Sequence, residues 1–226
     1  MLNQFVNIYQ RSAARRMFTR WAPSYEQDVA ENAYSAADAV AAAAIKYLAK
    51  SAETDPCVAD IGIGTGLLAQ QIYDAMPCRI TGLDFTEDML AQCGARDITE
   101  LLIKCDAGRG HWPLADESQH AVIASGLFEY LTPDMARHFM KEAARTLAPQ
   151  GVLVFTYLPA AQGERKTRLW FGKTGTNLSC SYDPEEIESL ARENGMQMLE
   201  HSEEFTGSVF KDGSSYPYRL AAARKP

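Results

Sequence analysis

The chain has 226 residues, 46% hydrophobic and 23% charged, which is enough apolar mass for one buried core and far from a disordered composition. A formal net charge of −7 repels phosphate backbones and anionic lipid surfaces, so nucleic acid and membranes are excluded as expected partners. Five cysteines (Cys57, Cys78, Cys93, Cys105, Cys180) with no C-x-x-C pair argue against a disulfide framework and against zinc, and no metal site is expected.

The N-terminus lacks the basic-then-apolar order of a signal peptide, and its longest small apolar run, Ala39 to Ile45, is far short of the ~20 residues that cross a bilayer. A soluble, cytoplasmic protein is expected. Residues 1–50 read as alanine-rich helix without strand signal. Arg11, Arg15, Arg16 and Arg20 would share roughly one face of it, and such a run is expected to be solvated.

From about 57 to 158, short apolar runs alternate with longer amphipathic stretches, the pattern of a parallel sheet covered by helices. The runs predict strands at Cys57–Ile61, Arg79–Leu83, Leu101–Cys105, Ala121–Ser125 and Val152–Tyr157. A helix is predicted over Leu67–Ala75, and another after Thr86, with Glu87 and Asp88 in its first turn and Met89, Leu90 and Cys93 toward the sheet. Thr132 as cap and Pro133 at the first helical position open a helix to Leu147, stopped by Pro149 and Gly151. A capping box at Asp183 to Glu186 starts a last helix that ends at Asn194-Gly195. Two β segments follow, Met196–Phe210 and Tyr216–Arg224, joined closely enough to pair antiparallel. The stretch 159–181, with Trp170 and Phe171, is expected to be an addition that walls an apolar pocket. The whole of 1–226 then reads as a single domain: a helical cap over 1–50, a binding core over 51–158, and an acceptor-side insertion with the final strand pair over 159–226.

The most informative segment is Val58-Ala59-Asp60-Ile61-Gly62-Ile63-Gly64-Thr65-Gly66-Leu67, a strand running into a glycine loop and then a helix. This places backbone N–H groups and a helix N-terminus at the carboxyl edge of a sheet. A dinucleotide loop of the form G-x-G-x-x-G would need glycine or alanine where Leu67 stands, and a carboxylate at Asp60 would repel a pyrophosphate but hold an ammonium. An NAD-dependent oxidoreductase is therefore disfavoured, and a ligand with an amino-acid end is favoured. Asp84, eighteen residues after Gly66, can accept both hydrogen bonds of a ribose diol, and Asp106 after the third strand can accept from an adenine amine.

Asp60-Ile61-Gly62-Ile63-Gly64-Thr65-Gly66 resembles the D/E-x-G-x-G-x-G motif of the class I S-adenosylmethionine-dependent methyltransferases. Asp84-Phe85-Thr86-Glu87-Asp88-Met89-Leu90, Cys105-Asp106-Ala107 and Leu147-Ala148-Pro149-Gln150-Gly151-Val152-Leu153 are similar to their second and third motifs and to the turn before their fifth strand. The resemblance implies a Rossmann-like, seven-stranded, mostly parallel sheet with an antiparallel C-terminal strand and helices on both faces. It implies S-adenosylmethionine as cofactor, with Asp60, Gly62, Gly64 and Gly66 in the binding loop, Asp84 on the ribose, Asp106 and Ala107 at the adenine amine, and Phe85 and Met89 on the adenine faces. Ser125 and Gly126, after the fourth strand, complete the cofactor set. Trp21-Ala22-Pro23-Ser24-Tyr25-Glu26-Gln27-Asp28-Val29 resembles the opening of a small-molecule branch that includes the Williams–Beuren-region methyltransferase-like proteins, which implies Tyr25 near the methionine end.

The expected activity is methyl transfer to a small, partly apolar acceptor. Many relatives read L-E-H-L where this chain has Phe128-Glu129-Tyr130-Leu131, so a histidine base is not carried over and Glu129, Tyr130 and His111 are the candidates for acceptor chemistry. Ser125-Gly126-Leu127-Phe128 departs from the N/D-P-P-Y/F sequence of nucleic-acid amino methyltransferases. The alternative is a non-catalytic module that binds the same cofactor or supports a partner.

Overall fold

A computed structural model describes residues 2–160, 167–172, 175–209 and 213–226. Three helices lead: α1 Leu2–Trp21, α2 Tyr25–Glu31 and α3 Ala36–Leu48. The chain then alternates strand and helix through β1 Cys57–Ile61, α4 Leu67–Ala75, β2 Arg79–Asp84, α5 Glu87–Gly94, β3 Leu101–Lys104, β4 Gln119–Ala124, α6 Pro133–Thr146 and β5 Leu147–Tyr157. A hairpin of β6 Thr167–Gly172 and β7 Gly175–Cys180 follows, then α7 Pro184–Glu193, β8 Gln197–His201, β9 Phe205–Val209 and β10 Ser215–Arg224.

The main sheet runs β3-β2-β1-β4-β5-β10-β8, with β1 to β5 parallel and β10 antiparallel to both β5 and β8. The seven-strand path, mostly parallel with an antiparallel C-terminal strand, is the expected architecture, and β9 pairs with β10 off this path as an eighth strand. The order of winding reverses between the parallel neighbours β1 and β4, so the carboxyl ends of those strands form the crevice where doubly wound sheets bind ligands. Both faces are covered, which is why the strands read as unbroken apolar runs. Ala59, Ile61, Val122 and Ala124 pack with α6 and α7, while Val58, Ala121 and Ile123 pack with α3, α4 and α5.

Two predictions need correction. The segment 196–210 is not one strand but β8 and β9, because β10 changes partner along its length: Ser215–Tyr218 pair with β9 and Ala221–Arg224 with β8. The turn before the fifth strand lies inside β5 as a bulge. Gln119 pairs with Leu147 and Ala121 with Val152, and the backbone at Gly151 passes so close to Ala148 O and Gln119 O that an added Cβ would lie 2.8 and 3.0 Å from them. The side chains of Trp170 and Phe171, expected to wall a pocket, lie outside the described residues.

The capping predictions resolve at the level of atoms. Asp183 and Glu186 form the reciprocal box that starts α7. Thr132 caps α6 by accepting from the Met135 N–H, and its hydroxyl also meets Asn7 Oδ1 of α1. Thr132→Ala is expected to cost ~1 kcal/mol, lowering the thermal midpoint by about 2–4 °C, as checked by circular dichroism. Thr86 stands at the N-cap of α5 without a side-chain cap bond, and its backbone N–H donates instead to Asp84.

Candidate functional site

The glycine loop is shaped by backbone that only glycine adopts freely: Gly62 has φ +77° and Gly64 φ +57°. The N–H groups of Gly62 and Ile63 both donate to Leu83 O, at 2.7 and 3.0 Å, tying the loop to the end of β2. Asp84 completes the tie. Its Oδ2 accepts from Gly64 N–H at 3.1 Å and its Oδ1 from Thr86 N–H at 2.8 Å. Each carboxylate oxygen keeps a further acceptor position. Burial raises the Asp84 pKa, and these backbone bonds pull against that rise.

Asp60 sits at the end of β1 with 1% of its surface exposed and its Oδ2 without a hydrogen-bond partner. Burial, and then the neighbouring Asp84, push its pKa up to about 8. Such a carboxylate suits a cationic ligand group, which would supply the missing counter-charge. Thr65 Oγ1, on the same cavity wall, is also buried without a partner.

Two cavities border this loop and a third adjoins them. The first is lined by Gly62, Gly64, Asp84, Phe85, Met89, Asp106, Ala107, Ser125, Gly126 and Tyr130, and is roofed by Arg11, Ala14 and Phe18 of α1. The second holds Asp60, Thr65, Leu67 and Gln70 with Tyr25 and Tyr34. The third is walled by Trp21, Tyr25, Tyr34, Tyr130, Tyr216 and Tyr218 with Glu129. Tyr25 lines all three.

The three acids therefore do not share one wall: Asp84 and Asp106 face the first cavity and Asp60 the second. Gly66 lines none of the three. Its φ is +87°, and an added Cβ would lie 2.8 Å from Cys93 Sγ, so this glycine serves the packing of α5 against the loop. His111 is also outside them, 69% exposed and 3.6 Å from Glu142 Oε2, so the fold does not bring it to the acceptor side. Glu129 and Tyr130 do line the third cavity. Asp106 carries contacts that the sequence did not suggest: Oδ1 accepts from Gly108 N–H, and Oδ2 lies 3.4 Å from the Nε of both Arg11 and Arg109. The basic face of α1 is thus not wholly solvated. Among the described residues, no group of three His, Cys, Asp or Glu side chains is placed to hold a metal ion.

The cap is pinned over the cleft by specific polar contacts. Gln92 Nε2 of α5 donates to Ala22 O at 2.7 Å, and Arg96, just beyond the end of α5, bonds Glu26 at 2.6 Å. Trp21 Nε1 and Ser24 Oγ both donate to Asp28 Oδ2, at 2.6 and 2.9 Å, which accounts for the tryptophan-to-aspartate spacing in the opening motif. Phe18 meets Tyr130 edge-on at 5.1 Å, and Trp21 meets Tyr25 at 4.9 Å.

Residues 58–151 match the family model described as "Methyltransferase domain". The malonyl-[acyl-carrier protein] O-methyltransferase of Geobacter sulfurreducens is 31% identical over 153 residues, covering 66% of this chain and 54% of that protein. Residues 58–151 thus read as a methyltransferase domain.

The human methyltransferase-like protein 27 is 30% identical to this chain over 112 residues, covering 48% of it and 44% of the human protein. The chain spans about half the length of these curated relatives. The solved 1,6-didemethyltoxoflavin-N1-methyltransferase of Burkholderia thailandensis, with 1,6-didemethyltoxoflavin and S-adenosylhomocysteine bound, shares the fold at a TM-score of 0.70 and 16% identity, covering 95% of this chain and 89% of that one. The chain thus carries a glycine loop, two acid-lined cavities and an aromatic third cavity around one tyrosine. No helix among the described residues is long and apolar enough to cross a membrane.

Proposed function

We propose that this protein transfers the methyl group of S-adenosylmethionine to a small, partly apolar acceptor. One observation carries the reading: the cleft at the glycine loop and the aromatic cavity share Phe18, Tyr25, Gly126 and Tyr130, so molecules held in the two would meet at a common wall. The cofactor, when bound, supplies a methyl group on a positively charged sulfur, already activated for in-line displacement.

The residues then have distinct tasks. Asp84 holds the ribose diol with its two free acceptor positions, Phe85 and Met89 flank the adenine, and Asp106 with Ala107 marks the amine edge. Asp60 and Thr65 hold the amino-acid end, and Ser125, fixed by Tyr34 at 2.8 Å, shapes the junction. Tyr25 separates the ligands from water where the cavities meet. Glu129, whose pKa burial pushes up to about 7, accepts a proton wherever the acceptor must lose one. The acidic net charge makes nucleic acid a poor partner, and five free cysteines suit a reducing cytoplasm.

Calorimetry should show S-adenosylhomocysteine binding, and incubation with methyl-labelled cofactor and a metabolite extract should move label into small molecules. Binding with no label transferred to any acceptor would favour the non-catalytic module instead. Proton release gives a sharper check. In the free protein Asp60 faces Asp84 on β2, Tyr25 on α2 and Cys93 on α5, and at pH 7 it is mostly protonated with its pKa near 8. A cation entering the cavity lowers that pKa, so S-adenosylmethionine should release up to about one proton at pH 7 and almost none at pH 9.5. Titration in buffers of different ionisation heat measures this, and Asp60→Asn should abolish it.

A further inference from the structure

The aromatic cavity carries a more specific message about the acceptor. Its walls include the rings of Trp21, Tyr25, Tyr130, Tyr216 and Tyr218, and Glu129 is the one charged side chain among its described lining residues. Glu129 is only 7% exposed. Its Oε1 accepts from the Tyr218 hydroxyl at 2.6 Å, and its Oε2 has no hydrogen-bond partner. No described lysine, arginine or histidine bonds to it.

A buried carboxylate is costly unless paired and fully hydrogen-bonded, and one tyrosine hydroxyl meets only part of that need. The remaining oxygen therefore calls for a donor, and most of all a positively charged one, from the molecule that fills the cavity. The walls make the same choice independently. Tyrosine and tryptophan ring faces attract ammonium groups and stack on flat apolar bodies, whereas an anion would meet a carboxylate of like charge and the negative faces of the rings. Two features of different chemistry, the half-satisfied carboxylate and the ring cage, point to one ligand type.

We infer that the acceptor is an amine carried on a flat, apolar ring system, bound as its ammonium form with Glu129 as counter-charge; where the nitrogen is the methylated atom, Glu129 first takes the N–H proton and the freed lone pair forms the N–C bond as the C–S bond breaks. The inference rests on the reading that this cavity is the acceptor side. It makes Glu129 the residue that sets specificity, and it separates this chain from acceptors that present a carboxylate or a phosphate.

Three indole compounds differing only in the end group test it: tryptamine, tryptophol and indole-3-propionate, titrated by calorimetry with and without saturating S-adenosylhomocysteine. Tryptamine should bind about ten-fold or more tighter than the other two. Glu129→Gln should erase that preference while S-adenosylhomocysteine affinity stays within about two-fold, which also shows that the variant is folded. Equal binding of the alcohol or the acid, no binding of tryptamine, or a preference that survives Glu129→Gln would overturn the amine inference. If S-adenosylhomocysteine fails to bind while tryptamine is still preferred, the methyltransferase reading falls and the amine site stands.

Discussion

Asp84→Asn is expected to weaken S-adenosylhomocysteine binding about a hundred-fold, a loss of about 3 kcal/mol. The carboxylate accepts the Gly64 and Thr86 N–H groups on separate oxygens, and each oxygen has one position left for a ribose hydroxyl. Asparagine keeps one acceptor oxygen and replaces the other with a donor NH₂, which must then face either a backbone N–H or a ligand hydroxyl. The loop loses a tether and the ligand loses a charge-assisted bond together. Hydrogen bonds to charged groups contribute ~1.5–3 kcal/mol each, and stranding the Gly64 or Thr86 donor adds to the cost. Calorimetry reads the affinity directly. An affinity within about three-fold of wild type, in a variant with an unchanged thermal midpoint, would remove Asp84 from the ligand site.

Phe128→Ala should be the most destabilising single change in the acceptor-side core, at ~3–5 kcal/mol. The ring is fully buried, stacks on Phe155 with centroids 4.2 Å apart, and meets Phe139 and Tyr182 edge-on at 5.0 and 5.8 Å. Truncation leaves a cavity among three aromatic side chains whose backbones belong to a strand, a helix and a loop, so collapse around it is limited. Urea unfolding should show a lower midpoint at constant slope. Phe128→Leu, which keeps most of the volume, should recover a large part of the loss. An alanine variant within about 1 kcal/mol of wild type would mean that the site repacks, contrary to this packing. Because Phe128 opens the 3-10 turn that carries Glu129 and Tyr130, the alanine variant should also loosen the acceptor side.

The sheet and the glycine loop were legible because their causes are local. Strands buried on both faces must be apolar runs, a strand that turns into a helix beneath a ligand needs glycine with positive φ, and the caps at Thr132 and Asp183 are written in four residues each. The contacts that were not legible join distant parts of the chain. Tyr218 donates to Glu129 across 89 residues and Tyr34 meets Ser125 across 91, separations at which no spacing rule operates. Arg11 looked like one of four solvated arginines until the fold brought Asp106 beneath it. His111 and Gly66 show the converse: both were candidates on sequence grounds, and neither lines the three cavities. The division of 196–210 into two strands also escaped the sequence, because it depends on where β10 exchanges one neighbour for another.

The stretch from Phe18 to Tyr25 is at once ceiling of the glycine-loop cleft and partition of the aromatic cavity. A molecule that shifts this shared panel on one side changes the fit on the other, and thermodynamic linkage makes any such influence equal in both directions. The expected consequence is that filling one compartment alters the affinity of the other through the rings they share.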